Sequence, residues 1–301
     1  MNLHKEIEIF NQAISMTSKH YNISPAIVEK DYYVTLFLSK LVEDVPGLIF
    51  KGGTSLSKCF KLIDRFSEDI DITLDSKICT QSQRRNLKYI IQEISNSLGL
   101  NITNLEETRS RRDYNCYKID YQSRYTTLGI NPQLLVETVF MISSFPTETK
   151  FASSLIYDYL KEVGNTEAIE KYSLNSFKIQ VQTLERTFVD KVFAICDYSI
   201  SGKIDKHSRH IYDLYKIYDN IIIDNKLKLL INEVRNERKD NERCFSAKDG
   251  ISVTNILNKI IKEEIYKKDY NNITEKLLYR VVKYDESIKV LEKIIENKIF
   301  D

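Results

Sequence analysis

Apolar and polar positions along the chain change period in a way that separates its first half from its second. In SPAIVEKDYYVTLFLSKLVED (24–44), Ser24 precedes Pro25. A hydroxyl placed to cap free amides, followed by a residue that needs no amide donor, predicts a helix start. The short apolar run GLIFK follows, and Gly52 and Gly53 end it. Leu56, Phe60 and Ile63 then recur at helical intervals, so the paired glycines belong to a strand-to-helix turn. In IDITL, Ile70, Ile72 and Leu74 alternate strictly with Asp69, Asp71 and Thr73. That is a strand with one apolar face and one wet or liganded face.

Leu87, Ile90, Ile91, Ile94 and Leu98 form a helical stripe that Gly99 is placed to stop. YNCYKIDYQ and QLLVETVF read as further strands. In TLERTFVDKVFAICDY, Leu184, Phe188, Lys191 and Ile195 fall on one helical stripe, which puts a lysine on the buried side. Arg186 and Asp190 are spaced to pair outside it. All four prolines lie at or before Pro146, and only Gly164, Gly202 and Gly250 interrupt the chain after it. The predicted organisation is α+β: residues 1–150 hold an N-terminal helix and a small mixed sheet, and residues 151–301 are mainly helical.

Composition narrows the classes. With 42% hydrophobic and 29% charged residues in 301, the chain can bury enough apolar surface to fold as a globular protein. Its formal net charge of +1 leaves nucleic-acid binding to a local patch rather than to overall charge. No apolar run is long enough to span a membrane and the start MNLHKEIEIF is charged, so a cytoplasmic location without membrane contact is expected. Five scattered cysteines without a C-x-x-C suit neither a disulfide framework nor a zinc site.

Four places carry candidate chemistry. A strand, two glycines and a helix start let an anion approach backbone amides, with Thr54 and Ser55 as further donors; the same pattern also makes an ordinary capped turn. Asp69 and Asp71 project from one face, one pleat apart, as two acids sharing a divalent metal would; a solvated acidic edge has the same spacing. Glu137 sits among apolar neighbours on a strand and needs a partner, which a metal or a lysine would supply, with Asp120 as the competing third acid. Beyond Gly202, Lys203, Lys206, His207, Arg209 and His210 crowd the start of a helix that carries Asp213. They form either a basic rim for phosphates or a solvated helix start with an Arg209–Asp213 pair.

Together, EKDYYV (29–34), KGGTSLSK (51–58), RFSEDIDI (65–72), VDKVFAICDY (189–198) and RHIYDLYKI (209–217) resemble the AbiEii/AbiGii toxin family of nucleotidyltransferases, related to the MenT toxins. The similarity runs from about residue 20 to about residue 220, and the last stretch matches only in being helical. The resemblance implies a polymerase-β-like nucleotidyltransferase core followed by a helical domain. It implies a nucleotide-binding set at Lys51, Gly52, Gly53, Thr54, Ser55 and Lys58, to which the basic rim adds Arg209. Mg²⁺ is expected on Asp69 and Asp71, with Glu137 standing where the wider superfamily has an aspartate. The catalytic set implied is Asp69, Asp71, Lys191 and Asp213. An NTP donor, an RNA acceptor such as the tRNA 3′ end, and a cognate antitoxin are the expected partners. Transfer to a small molecule or a protein hydroxyl, or nucleotide and RNA binding without turnover, are the alternatives.

Overall fold

A computed structural model describes residues 2–75, 78–125 and 130–301. The chain divides into two compact units: Met1–Lys61 with Ser67–Val181, and Leu62–Phe66 with Gln182–Asp301. The boundary expected at residue 150 falls inside a strand, and a further strand of the same sheet follows it.

In the first unit the elements run α1 (Ile7–Tyr21), α2 (Pro25–Asp44), β1 (Ile49–Lys51), α3 (Gly52–Lys58), β2 (Asp69–Thr73), α4 (Gln81–Leu98), β3 (Asn101–Ile102), β4 (Tyr114–Asp120), β5 (Gln133–Val139), β6 (Thr147–Ala152), α5 (Leu155–Glu162), α6 (Thr166–Lys171) and β7 (Phe177–Gln182). Among the described residues the strands form one seven-stranded mixed sheet in the order β3-β4-β5-β2-β1-β7-β6. The β2–β5 and β1–β7 pairs are parallel, while β1–β2, β3–β4 and β4–β5 are antiparallel.

The strands read in IDITL, YNCYKIDYQ and QLLVETVF are present, each with one face buried. Ile70 and Ile72 of β2, Leu134 and Val136 of β5 and Tyr117 and Ile119 of β4 join one buried cluster with Phe37, Leu38 and Leu41 of α2 and Leu87, Ile91 and Ile94 of α4. Fully burying one such side chain contributes about 1.5–3 kcal/mol, so this shared face fixes the register of the central strands. A slip by one residue would turn Asp69 and Asp71 into that core.

The helix ends differ in detail. At α4, Thr80 and Gln83 form a reciprocal capping box, and Gly99 ends the helix with φ 72° in the left-handed region. At α2, Ser24 holds the cap position but makes no side-chain capping bond. Instead its carbonyl accepts from the amides of Ile27 and Val28. Strand β7 was not legible as such, because its FKIQVQ pattern lies in a stretch read as helical.

The second unit is helical: α7 (Leu184–Ser201), α8 (Arg209–Tyr218), α9 (Asn225–Arg238), α10 (Val253–Lys262) and shorter turns up to a last helix over Lys289–Glu296. Phe188, Val192 and Ile195 of α7, Ile211, Leu214 and Ile217 of α8, and Leu291 and Ile294 near the C-terminus are fully buried. Arg186 pairs with Asp190 as its spacing predicts, but inside rather than outside. The guanidinium also reaches Glu237, and Asp190 is shared with Arg238, so burial is compensated by several ionic partners. Among the described residues, no helix is long and apolar enough to cross a membrane.

Candidate active site

The glycine turn and the acidic strand meet in the first unit. Antiparallel pairing sets Lys51, the last residue of β1, opposite Asp71 of β2. The next residue, Gly52, has φ +76°, and a Cβ built there would lie 1.9 Å from Asp71 Oδ2. Glycine is therefore required at position 52 twice over, for the backbone angle and for the space the carboxylate occupies. The turn opens α3, whose own side chains face inward. Ser55 Oγ donates to the Gly52 carbonyl at 2.9 Å, and Thr54 Oγ1 lies 3.0 Å from Ser67 Oγ. Both hydroxyl residues are fully buried, so they brace the turn from beneath.

Lys58, at the other end of α3, is likewise turned inward. Its ammonium donates to Asp31 Oδ1 at 2.5 Å and to Thr35 Oγ1 at 2.6 Å, fastening α3 to α2. Asp31 spends its other oxygen on the backbone amide of Leu155, the first residue of α5. Its neighbours in the same motif are also committed. Lys30, almost fully buried, bonds Glu68 and the Asn131 carbonyl, and Glu29 accepts from Ser123 Oγ and the Arg124 amide. Burial pushes the Glu29 carboxyl up despite those donors. EKDYYV is thus a bracing motif: Lys30 holds the residue just before Asp69, and Asp31 holds the end of α3.

The acidic face extends across β2, β5 and β4. Parallel pairing puts Asp71 beside Glu137, and antiparallel pairing puts Glu137 beside Cys116. Asp69, Asp71, Glu137 and Cys116 are all half-buried on this face. The Tyr114 hydroxyl hydrogen-bonds Glu137, and burial together with the Glu137 charge pushes the phenol up. The Cys116 thiol is pushed up to about 11, first by burial and then by Glu137 and Asp69. Asp120 lies farther along β4, exposed and opposite Gln133, from whose amide it accepts at 2.7 Å. Register therefore brings Glu137, not Asp120, beside the aspartate pair.

Among the described residues, no three His, Cys, Asp or Glu side chains are gathered so as to hold a metal ion by themselves. Two carboxylates one pleat apart against a glycine turn fit a hard cation of another kind, one that completes its shell with water and substrate oxygens. A closed protein cage of the structural-zinc type is not what this donor set suits.

The second unit gathers Lys191, Asp213 and Arg65, the last carried by the Leu62–Phe66 segment. Arg65 grips Asp213 with both arms of its fork, Nε to Oδ1 at 2.7 Å and a terminal nitrogen to Oδ2 at 2.8 Å. Lys191 Nζ donates to Asp213 Oδ2 at 2.7 Å. Burial alone would push the Asp213 carboxyl up, but the Arg65 and Lys191 charges hold it well below the usual carboxylate range. Burial draws the Lys191 ammonium down, partly offset by Asp213. Both Asp213 oxygens are engaged by Arg65 and Lys191, so the i, i+4 spacing of Arg209 does not decide what Asp213 binds. Arg65 was missed as a site residue because its partner lies 148 positions away.

A mixed sheet carrying paired strand aspartates against a glycine turn, with a helical unit beside it in the chain, is the fold of a nucleotidyltransferase, and this chain is one. A family model described as "Nucleotidyl transferase AbiEii toxin, Type IV TA system" matches residues 36–290, and the chain belongs to that family. The resemblance read from the motifs is borne out. Among solved structures the chain is similar to MenT4, nucleotidyltransferase toxin Rv2826c from Mycobacterium tuberculosis H37Rv. The identity is 17%, the match covers 95% of this chain and 97% of that one, and the TM-score is 0.48. A search of curated proteins finds no match.

Proposed function

We propose that the protein transfers a nucleoside monophosphate from an NTP to an RNA hydroxyl, with the tRNA 3′ end as acceptor, and that Mg²⁺ is the cation used. The observation that carries this reading is the contact between the Gly52 turn and the Asp71 carboxylate. It sets a backbone that a phosphate can approach closely directly beside two acids on one strand face. When bound, Mg²⁺ would neutralise phosphate charge and orient the reacting oxygens.

The chain's own residues do the rest by position and charge. Asp69 and Asp71 are the residues that would hold the cation. Glu137, braced by Tyr114, stands beside Asp71 as the third acid. Gly52 and Gly53 offer backbone to the triphosphate, with Lys51 at the mouth of the turn. Thr54, Ser55 and Lys58 support that turn through their inward bonds. In the second unit Lys191, bonded to Asp213, is the proposed catalytic cation, and Arg209 adds to the basic rim. A cognate antitoxin fits the family's type IV toxin–antitoxin membership.

The test is transfer of labelled nucleotide to total tRNA, given all four NTPs with Mg²⁺ or Mn²⁺. Wild type is expected to label RNA, and Asp69→Ala/Asp71→Ala to abolish labelling. Labelling that survives the double substitution would remove the aspartates from the chemistry. Labelling of a lysate protein or small molecule with RNA left blank would replace the acceptor but keep the reaction.

A further inference from the structure

The Lys191 ammonium has three N–H donors, and Asp213 takes one of them. Asp213 by itself does not fix the ammonium's direction, because a single bond leaves the other two N–H groups free to turn about it. A second acceptor is present. His210, one residue into α8, places its Nδ1 3.4 Å from Lys191 Nζ. With two acceptors fixed in space, the direction of the third N–H is determined.

We propose that His210 is a positioning residue: its unprotonated Nδ1 accepts from Lys191 and, with Asp213, fixes the direction in which the lysine presents its remaining N–H to a phosphate ligand. The proposal rests on the reading of Lys191 given above. It requires the tautomer that carries its proton on Nε2, and a protonated ring would turn the acceptor into a donor. The surroundings oppose that protonation. Lys191 of α7 and Arg209 of α8 place positive charge near the ring, and the His207 ring in the preceding turn lies parallel to it, centroids 5.9 Å apart. Asp213 is the opposing anion, and its charge is shared with Arg65. Tyr198 of α7 stacks parallel to both rings, 3.5 Å from His207 and 5.9 Å from His210, which restricts their orientation. Burial, followed by those two cations, holds His210 well below the ordinary histidine range.

Three variants test the role, read by transfer kinetics, by calorimetric binding of pyrophosphate and by ring-nitrogen NMR of the full chain. Asn places an amide oxygen where Nδ1 stood, whereas Phe keeps the ring and Gln sets its oxygen farther out. His210→Asn is expected to stay within about threefold of wild type in kcat, and His210→Phe and His210→Gln to fall by about tenfold or more, a loss in line with misplaced catalytic groups. Wild-type transfer should lose activity as acid protonates His210, and the Asn variant should lack that limb. The NMR spectrum of wild type should show Nε2 protonated and Nδ1 bare near neutral pH.

A proton on Nδ1 would overturn the proposal without any activity being measured. So would a folded His210→Phe that matches wild type in rate and acid limb, or an Asn variant no better than Phe. If wild type transfers nothing to RNA, the function reading fails, while the tautomer and the loss of pyrophosphate binding in His210→Phe still decide the positioning role.

Discussion

The two units handle buried charge in opposite ways. In the second, Asp213 is fully buried, yet its carboxylate is held by a bidentate arginine and a lysine. In the first, Asp69, Asp71 and Glu137 are half-buried beside one another on a sheet face. A carboxylate saturated by cations within its own unit is structural before it is anything else. Acids gathered side by side on one strand face suit a divalent cation shared between them. The same residue type thus serves stability in one unit and, in the proposed function, chemistry in the other.

The largest effect that would break this comparison is on stability at Asp213. Asp213→Ala strands two buried cations and should cost about 3–5 kcal/mol in urea unfolding, as breaking buried ion pairs does. Asp71→Asn removes a charge from a like-charged neighbourhood and should change stability by less than about 1 kcal/mol while abolishing transfer. Equal destabilisation by the two substitutions would erase the distinction.

Next comes Gly52→Ala. The added methyl meets the Asp71 carboxylate and the backbone angle is left-handed, so a loss of about 1–3 kcal/mol is expected together with lost transfer. Thermal melts and the labelling assay read both.

The acid limb of stability sharpens the contrast further. Asp213 has a folded pKa depressed from 3.8, so its contribution is present above that value and is lost as the pH falls through the folded pKa. Unfolding measured between about pH 5 and pH 2 should fall steeply in wild type and less steeply in Asp213→Asn, whose baseline is already low. His210 adds a smaller loss beginning higher, below about its ordinary 6.5, because the unfolded chain takes up a proton that the folded ring resists.

The smallest effect expected is at Tyr114→Phe. Losing one hydroxyl at a partly exposed site should cost about 0.5–1.5 kcal/mol or less, but should raise the metal concentration needed for half-maximal transfer by freeing Glu137.

Much of the fold was legible because its signals are local. Alternation in IDITL fixed which of its side chains face the core, and Gly99 marked the end of α4. The strand-to-helix position of Gly52 and Gly53, and the burial of Lys191 on the α7 stripe, were also readable from spacing. The inward turn of Thr54, Ser55 and Lys58 was not, since a hydroxyl or ammonium near a glycine turn looks the same whether it faces a ligand or α2. Strand β7 was hidden in the same way: an edge toward β1 exists only once the sheet has formed.

The sequence by itself determined the periodicities, the glycine turn, the two aspartates on one face and, through its motifs, the family. Tertiary structure alone decided that Arg65 would grip Asp213 across 148 residues, that Glu137 rather than Asp120 would stand beside Asp71, and that His210 would reach Lys191. The physical reason is range. Hydrophobic period and backbone angle act over a few neighbouring residues, whereas the partner of a buried charge is chosen by whichever distant segment the packed core brings within hydrogen-bonding distance.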